Sequence, residues 1–322
     1  MSKSKKALII GTQVATADHE SGASLRLQSI KHALEMSSFD VTVSPLNMSD
    51  SELTKHWELI VVISYSSARI LRRARKQSRF LWFDPTDSWT VSRMSLFRDG
   101  DFKQLFALLR DLYWVWNAPR IDLLTFIAKR DALAEKNWWK NRTEPLILPI
   151  SNLVRNVNPS HEIRYVFIGD GNYGPNKKAL LFLSKVLDCL NDELIIDVYG
   201  KNFHINDPRF RIHGYTNNSE IYSDKDVHLA PITSGAGLKL KVAIPLINGL
   251  KVITTPEGSN GFRANRLLKV AKTPRAFASE IANVNLENFF KGEGDRFVSP
   301  FQHDDSEKVL EILQTGFIPK GF

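Results

Sequence analysis

The residues best suited to chemistry lie in the segment from Asp226 to Gly261, which reads DVHLAPITSGAGLKLKVAIPLINGLKVITTPEGSNG. Its order predicts a strand, a turn with Gly235 and Gly237, a helix with Lys239 and Lys241, a second strand and a second glycine turn. The first amides of a helix have no partner inside the helix, so they and the helix dipole attract anions. The lysines add positive charge at the same place. The segment therefore predicts a cradle for phosphate groups.

The spacing of the two lysines limits how they can act together. On an ideal helix Lys239 and Lys241 point about 200° apart, so both reach one diphosphate only if Lys239 lies in the turn before the helix. Either lysine could instead be an ordinary solvent-exposed residue. That alternative is stronger for Lys239 than for Lys241.

The composition limits the classes of protein to be considered. Of 322 residues, 43% are hydrophobic and 24% charged, as in folded globular proteins. Cys189 is the single cysteine, which excludes an intramolecular disulfide and a cysteine metal cluster and favours a reducing, cytoplasmic location. The N-terminal apolar run is too short for a signal peptide, and no apolar stretch approaches the ~18 residues of a spanning helix.

The net charge of +8 is partly local. Residues 67–79, SARILRRARKQSR, carry six Lys or Arg on a predicted helix, which could contact the inner membrane surface as a peripheral site or simply face water. Trp138, Trp139 and Lys140 could form an interfacial anchor or pack in the interior. Nucleic acid is not expected as a partner, because the basic run lacks interleaved aromatic residues.

Strands and helices alternate along the chain, which predicts an α/β protein with parallel sheets. The polar segment 151–162 interrupts the alternation and predicts a linker between two domains, residues 1–155 and 156–322, with the last helix able to pack back on the first domain. Ligands of such sheets bind beyond the carboxyl ends of the strands. The predicted strands are Ala7–Ile10, Val41–Val43, Leu59–Ile63, Phe80–Phe83, one near Leu123, Leu146–Leu148, Tyr165–Ile168, Ile195–Tyr199, Val227–Ala230 and Val252–Thr254. The predicted helices are Ser24–Leu34, Phe102–Trp116, one from about Lys129, Asn176–Leu190 and one beginning near Leu238.

Several runs resemble the glycosyltransferases of group one. In the second half these are HGYTNNSEIYSDKDVHLAPITSGAGLKLKV, residues 213–242, and YVFIGDGNYGPNKKALLFL, residues 165–183. In the first half FLWFDPTDSWTVSR and TFIAKRDALAE resemble the acceptor-side strand and a domain-closing helix of that family. The resemblance implies the GT-B architecture, in which two Rossmann-like domains face each other across a cleft.

By this resemblance, the chain is expected to transfer a sugar from a nucleotide diphosphate sugar to a saccharide, lipid-linked glycan or protein, with retention of configuration. Such catalysis needs positive charge and fixed donors at the leaving diphosphate, which lysines and helix amides supply without a metal ion or other cofactor. Lys241 is the expected catalytic group here. The other expected donor-binding residues are Gly169, Asp170, Gly200, Gly235, Gly237, Lys239, Thr255, Glu257, Gly258, Asn260 and Gly261. For each glycine an ordinary turn is the simpler alternative, and Glu257 could be an exposed carboxylate.

The resemblance also implies site residues in the first domain. Arg26 is expected to supply charge near the diphosphate or acceptor, although it could be a surface residue. Asp87 is expected as a catalytic base or acceptor ligand, although it could cap the following helix. The remaining residues expected in this acceptor or diphosphate loop are Gly11, Thr12, Gly22, Ser24 and Asp84.

One departure from the family pattern keeps other functions open. Relatives place a ribose-binding glutamate on the lysine helix, where this chain has Ile244, followed by Pro245. Proline inside a helix removes a backbone bond and costs about 3 kcal/mol. The alternatives are a catalytically degenerate GT-B protein that acts as a partner subunit or binding module, and, with less support, a sugar-nucleotide epimerase.

Overall fold

The computed structural model describes residues 5–12, 21–47, 55–98, 100–151, 153–190, 194–215, 221–284 and 299–315. The chain divides into two compact units. Unit 1 runs to residue 152 and includes the chain from residue 303 onward, and unit 2 comprises residues 153–302. The division falls within the predicted linker, and the helix Ser306–Thr315 belongs to unit 1.

Unit 1 is a parallel six-stranded sheet with helices between its strands, in the strand order β2-β1-β3-β4-β5-β6. Its elements are β1 (Lys5–Gly11), α1 (Gly22–Met36), β2 (Phe39–Pro45), β3 (Trp57–Ile63), α2 (Leu71–Gln77), β4 (Ser78–Thr86), α3 (Trp89–Arg98), α4 (Lys103–Trp116), β5 (Leu123–Phe126), α5 (Lys129–Glu135), β6 (Leu146–Ile147) and, after unit 2, α9 (Ser306–Thr315). The central strands are continuous apolar runs because both faces of a parallel sheet are covered.

The helix from the end of the chain completes one face of this sheet. Val309 and Leu313 of α9 are buried in the same apolar cluster as Ile30 and Leu34 of α1. This cluster packs on one face of the sheet. A second apolar cluster of the unit includes Phe83 and Trp139. A sequence segment far from β1 is therefore needed to bury the core around it.

A buried polar network joins α1, β4 and β5. Arg26 and Asp84 have fully buried side chains and form an ion pair, with Arg26 Nε donating to Asp84 Oδ1 at 3.0 Å. Arg26 also donates to the Leu148 carbonyl, and the Thr125 hydroxyl donates to Asp84. The Trp82 indole donates to Thr125 at 2.8 Å. Since both charges are satisfied by partners, their burial is tolerated.

The basic segment 67–79 is not one helix. A 3₁₀ helix, Tyr65–Ile70, leads into the short α2, and β4 already begins at Ser78. Arg75 is partly buried and pairs with Asp122. The prediction of a single basic helix was therefore wrong, because the apolar residues of the segment pack on the sheet and its end joins a strand. Trp139 also lies in the core, so the tryptophan pair is not a surface anchor as a whole.

Unit 2 has a second parallel six-stranded sheet, in the order β12-β11-β10-β7-β8-β9. Its elements are β7 (Arg164–Asp170), α6 (Gly174–Leu187), β8 (Ile196–Lys201), β9 (Phe210–Gly214), β10 (Asp226–Ala230), α7 (Leu240–Ile247), β11 (Lys251–Thr254), β12 (Leu268–Val270) and α8 (Pro274–Ala282). The sequence did not predict β9 and β12, which are short and have several exposed residues.

Buried charges also tie the strands of unit 2 together. Arg164 of β7 forms a two-bond ion pair with Asp226 of β10, at 2.8 and 2.9 Å. His228, on the same strand, is buried, and the loss of solvation lowers the pKa of its imidazole to about 3. His213 stacks on Tyr199 and bonds to Asp197 at 2.6 Å. Both histidines thus lie among residues that hold the strands of unit 2 together.

No helix among the described residues is long and apolar enough to cross a membrane.

The Arg26–Asp84 pair gives a first prediction. Replacing Asp84 by Asn leaves a buried guanidinium without its carboxylate, so we expect unit 1 to lose about 3–5 kcal/mol of unfolding free energy. All seven tryptophans lie in unit 1, so urea unfolding followed by tryptophan fluorescence reports on that unit. The control is Glu58→Gln, which breaks the exposed pair with Arg79 and should change the free energy by less than about 1 kcal/mol. Equal losses in the two variants would contradict the structural role of the buried pair.

Candidate functional site

The candidate site of unit 2 lies at the carboxyl edge of its sheet. Because β7, β8, β10 and β11 are parallel, their carboxyl ends meet at one edge. The predicted donor-binding residues all belong to the ends of these strands, to the loops that follow them, or to the start of α7. The predicted positions therefore share one edge of one unit.

Lys241 is held inside this edge. Its Nζ donates to the side-chain oxygen of Asn176 at 2.5 Å and lies 4.8 Å from the centroid of the Phe167 ring. Burial, together with the nearby charge of Lys239, lowers the pKa of this ammonium group to about 8. A cation that is costly to keep charged is well suited to bind an anion, which would relieve both effects.

Lys239 occupies the position that joint action of the two lysines requires. It is the N-cap residue of α7, with extended backbone angles, and so lies in the turn before the helix. Its Nζ donates to the Ala236 carbonyl and lies 3.3 Å from where a Cβ on Gly235 would be. One lysine therefore folds over the glycine turn while Lys241 reaches toward Asn176. Because Lys239 precedes the helix, the angle of about 200° expected between two lysines on one helix does not apply.

The helix begins two residues later than predicted, at Leu240. The cause is the backbone of the turn, where Gly235 and Gly237 have φ of 121° and 72°, a region that other residues rarely adopt. Lys239 makes no side-chain cap, and the amides of Leu240 and Lys241 have no carbonyl partner within the helix. The positive end of the α7 dipole thus coincides with both ammonium groups.

Asn176 is a site residue that the sequence analysis did not single out. It is buried in the first turn of α6, and its amide nitrogen donates to the Asp170 carbonyl at 2.8 Å while its oxygen accepts from Lys241. A Cβ on Gly169 would lie 2.6 Å from the same amide nitrogen. Gly169 is therefore required for Asn176 to lie against β7, rather than for direct approach by a ligand. In the sequence, the pair Pro175-Asn176 at the start of the helix was the signal that could have identified this residue.

Gly200 and Asp170 have local structural partners. Gly200 has φ of 133°, and a Cβ there would overlap the Gly169 carbonyl oxygen at 1.7 Å, so close strand packing explains this glycine. Asp170 is exposed at the end of β7, where the amide group of Asn202 and the backbone of Asn172 donate to its carboxylate and lower its pKa. Asp170 thus stabilises the turn after β7 and stays accessible to solvent.

The second glycine turn is braced by hydrogen bonds. Thr255 is buried, and its hydroxyl donates to the Ile232 carbonyl and accepts from the Gly258 amide at 3.3 Å. The Asn260 side chain donates to the Glu257 carboxylate at 3.2 Å. Gly261, with φ of 89°, ends the turn. Thr255 therefore connects this turn to the one after β10, so the two predicted glycine turns form a joined rim.

Ile244 has an apolar role. It packs against a cluster formed by Val166, Tyr199, Ile221, Tyr222 and Leu250. Pro245 lies within α7, which continues to Ile247. Because proline has no amide proton, residue 245 cannot donate the helical hydrogen bond to the Lys241 carbonyl. The position that carries a ribose-binding glutamate in the resembling family thus contributes to the core of unit 2.

Three predicted residues of unit 1 form part of its framework. Ser24 and Ser21 form a capping box at the start of α1, with Ser24 donating its amide to the Ser21 hydroxyl at 3.1 Å. Arg26 and Asp84 form the fully buried pair described above. These side chains are turned to neighbouring protein atoms, so we do not propose them as direct ligand contacts.

The other predicted residues of unit 1 lie at the carboxyl edge of its sheet. Gly11 ends β1, Thr12 follows it and Gly22 is the first residue of α1. Asp87 follows β4 and is partly exposed, and the hydroxyl of the next residue, Ser88, accepts the helix amide of Val91 at 3.0 Å. The structure brings these positions to one edge of the unit 1 sheet.

The structure adds a buried carboxylate, Glu135 of α5, beside this edge. It accepts from the Trp139 indole at 2.8 Å and from the Thr90 amide at 3.3 Å. Burial raises the pKa of its carboxyl group to about 7 despite these bonds. Tyr65 stacks on Trp89 with ring centroids 5.3 Å apart and packs edge-on to Trp139. No spacing in the sequence distinguished this glutamate from a surface residue.

Comparison with known proteins finds similarity in structure alone. No family model and no curated protein matches the sequence. Among solved structures, a sucrose-phosphate synthase from Thermosynechococcus elongatus matches with a TM-score of 0.65 at 11% identity, covering 97% of this chain and 95% of that one. The Anabaena protein HepE in complex with UDP-glucose matches with a TM-score of 0.59 at 12% identity, covering 96% and 98%. A putative UDP-N-acetylglucosamine 2-epimerase from Listeria monocytogenes matches with a TM-score of 0.53 at 12% identity, covering 97% and 96%.

These matches, together with two parallel six-stranded sheets and interleaved helices, confirm the predicted fold class. The chain has the GT-B fold with two Rossmann-like units.

The surroundings of Lys241 predict an unusual pH dependence of stability. The unfolded chain keeps the lysine proton to a pKa near 10.5, whereas the folded chain releases it at about 8. The unfolded state therefore binds more protons between these values, so the stability of the wild type rises with pH there. Lys241→Met removes this contribution. Its stability relative to the wild type should be greatest below about pH 8 and should decline toward pH 10.5.

The measurement is thermal unfolding followed by circular dichroism across this pH range, because unit 2 contains no tryptophan. Lys185→Met serves as the control, since Lys185 is exposed in the last turn of α6. Parallel pH profiles for the wild type and Lys241→Met would show that Lys241 titrates as an ordinary lysine.

Proposed function

We propose that the protein is a glycosyltransferase that binds a nucleotide diphosphate sugar in unit 2 and transfers its sugar to an acceptor. The observation that carries this proposal is the placement of Lys239, Lys241 and the start of α7 around one glycine turn. Two cations and free helix amides at the edge of a Rossmann-like sheet are suited to bind a diphosphate. HepE, a structural neighbour over nearly the whole chain, is described in complexes with UDP-glucose and with UDP.

In this proposal Lys241 is the catalytic group of unit 2. As the bond to the sugar breaks, negative charge grows on the diphosphate leaving group, and a nearby ammonium lowers the energy of that state. Asn176 fixes the position of its Nζ, and the Phe167 ring centroid lies 4.8 Å from this atom. Lys239 and the α7 amides add further positive potential. This set replaces a divalent cation, so we propose a metal-independent reaction with no other cofactor.

The rim residues are proposed to hold the rest of the donor. Thr255 and Gly258 connect the two turns, and Glu257 and Asn260 are placed on the rim where sugar hydroxyls would be bound. Since Ile244 cannot accept a hydrogen bond from a ribose, we propose that other groups of unit 2 hold the nucleoside.

The acceptor is proposed to bind unit 1 at the carboxyl edge of its sheet, with Asp87 as base or acceptor ligand. Gly11, Thr12 and Gly22 share this edge. The acceptor class is a saccharide, a lipid-linked glycan or a protein, and transfer with retention follows from the family resemblance. Contact of residues 67–79 with a membrane surface stays a prediction.

Two other functions have specific support. Ile244 in an apolar cluster fits a GT-B protein that binds without catalysing transfer. The Listeria neighbour, which is described as a putative epimerase, has a similar fold, so epimerisation is the alternative reaction. Incubation with UDP-N-acetylglucosamine and no acceptor separates these possibilities, because an epimerase alone changes the sugar configuration without releasing UDP.

Nucleotide binding provides the direct test. We expect isothermal titration calorimetry to detect UDP or a related nucleoside diphosphate at neutral pH. Lys241→Met and Asn176→Ala should each weaken binding by about ten- to hundredfold, because each removes or displaces a charge-assisted contact. Lys185→Met, at the far end of α6, should bind like the wild type.

The same titration repeated at higher pH tests the charge on Lys241. A bound diphosphate stabilises the ammonium form, so affinity should fall as the pH rises through about 8, the pKa of Lys241 in the free protein. Lys241→Met should lack this decline. If no nucleoside diphosphate binds, or if Lys241→Met binds and turns over nucleotide sugars like the wild type, the proposed phosphate site is wrong. If nucleotide binds but no sugar is transferred to any acceptor tested, the binding-module alternative is favoured.

A further inference from the structure

Helix α4 of unit 1 has an exposed apolar face. Phe102, Phe106 and Trp116 have 71%, 76% and 81% of their side-chain surface exposed. On a helix of 3.6 residues per turn, these residues and three others fall within an arc of about 100°. The apolar stripe consists of Phe102, Leu105, Phe106, Leu109, Tyr113 and Trp116. An exposed set of this kind marks an interaction surface, because single exposed apolar residues are normally scattered.

The other side of α4 is fixed to unit 1. Val115 is buried in the apolar core, and Leu108 and Leu112 pack against it. Asp111 is also buried, and it accepts from Arg93 at 3.0 Å while its carbonyl accepts from the Tyr65 hydroxyl at 3.0 Å. The helix thus has enough buried contacts without the stripe, and the stripe faces away from the core that holds it.

Cations border one side and one end of the stripe. Lys103 and Arg110 are exposed on one side of it along the helix. At its end, Lys140 donates to the Trp116 carbonyl at 3.1 Å, and Arg72 of α2 donates to the Asn117 carbonyl at 2.6 Å. The nearby carboxylate of Asp111 is buried and bonded to arginines. The exposed border is therefore basic on that side and at that end, while Asp101 is exposed at the start of the helix.

We propose that α4 docks unit 1 on an anionic lipid bilayer, lying parallel to the surface. The phenylalanine and leucine side chains enter the boundary with the acyl chains, and Tyr113 and Trp116 take the interfacial position that such rings prefer. The bordering cations contact the lipid phosphates. The basic border is complementary in charge to anionic headgroups, which favours lipid as the occupant. This surface is independent of the proposed nucleotide site in unit 2.

The test is co-sedimentation of the full chain with vesicles of phosphatidylglycerol and phosphatidylcholine, compared with phosphatidylcholine alone. The wild type should bind the anionic vesicles and bind the neutral ones much less. The double variant Phe106→Ser/Trp116→Ser should bind the anionic vesicles at least about tenfold more weakly than the wild type. The matched control is Leu181→Ser/Val154→Ser, which removes exposed apolar side chains of unit 2 and should bind like the wild type.

A second variant separates charge from apolar insertion. Lys103→Gln/Arg110→Gln should lower binding to anionic vesicles at low salt, and added salt should reduce the difference from the wild type because it screens surface charge. Circular dichroism and UDP binding should be unchanged in these variants. The proposal is overturned if the wild type does not bind anionic vesicles or if the Phe106→Ser/Trp116→Ser variant binds them equally. It is also overturned if light scattering shows a dimer that this variant dissociates while vesicles are not bound, since the stripe would then join two copies of the chain.

Discussion

The hydrogen bond between the Lys241 ammonium and the Asn176 side chain is the interaction on which the candidate site depends. It connects the start of α7 to the start of α6, and through the second bond of Asn176 it reaches the end of β7. Gly169 is required because any side chain there would displace Asn176. The ammonium stays in a poorly solvated place beside a second cation, and an anion would relieve that unfavourable state. Among the residues that the structure describes, the framework of unit 2 therefore holds this ammonium against a neutral amide and beside a second cation.

The buried charged groups of the two units have different partners. In unit 1, Arg26 and Asp84 satisfy each other completely, so their charges fix α1 against the sheet and are unavailable to a ligand. In unit 2, the described part of the chain gives Lys241 a neutral amide and an aromatic ring as partners. The sequence led us to expect that both Arg26 and Lys241 supply charge to a ligand, but their surroundings in the structure differ. A buried charge with a charged partner is structural, whereas a buried cation held by a neutral amide is a candidate binding group.

Much of the fold could be predicted because its signals are local. Runs such as Leu59–Ile63 and Val227–Ala230 are apolar throughout, as buried parallel strands require, and both are found as strands. Strands β9 and β12 were missed because their short, partly exposed sequences have little apolar periodicity. The basic segment was misread because its apolar residues can pack either as one helix or as a 3₁₀ turn, a short helix and a strand. Tertiary contacts decide between these, and local propensity does not.

By itself the sequence determined the alternation of elements, the linker, and the glycine turn with two lysines, since each depends on residues close together in the chain. Only the tertiary structure decided that Lys239 lies before the helix, that Asn176 holds Lys241, that Ile244 joins an apolar cluster and that Glu135 is buried. The first depends on the backbone conformation of the glycine turn, and the other three depend on residues distant in sequence. Solvation and charge pairing are set by such neighbours, and they distinguish a binding group from a structural one.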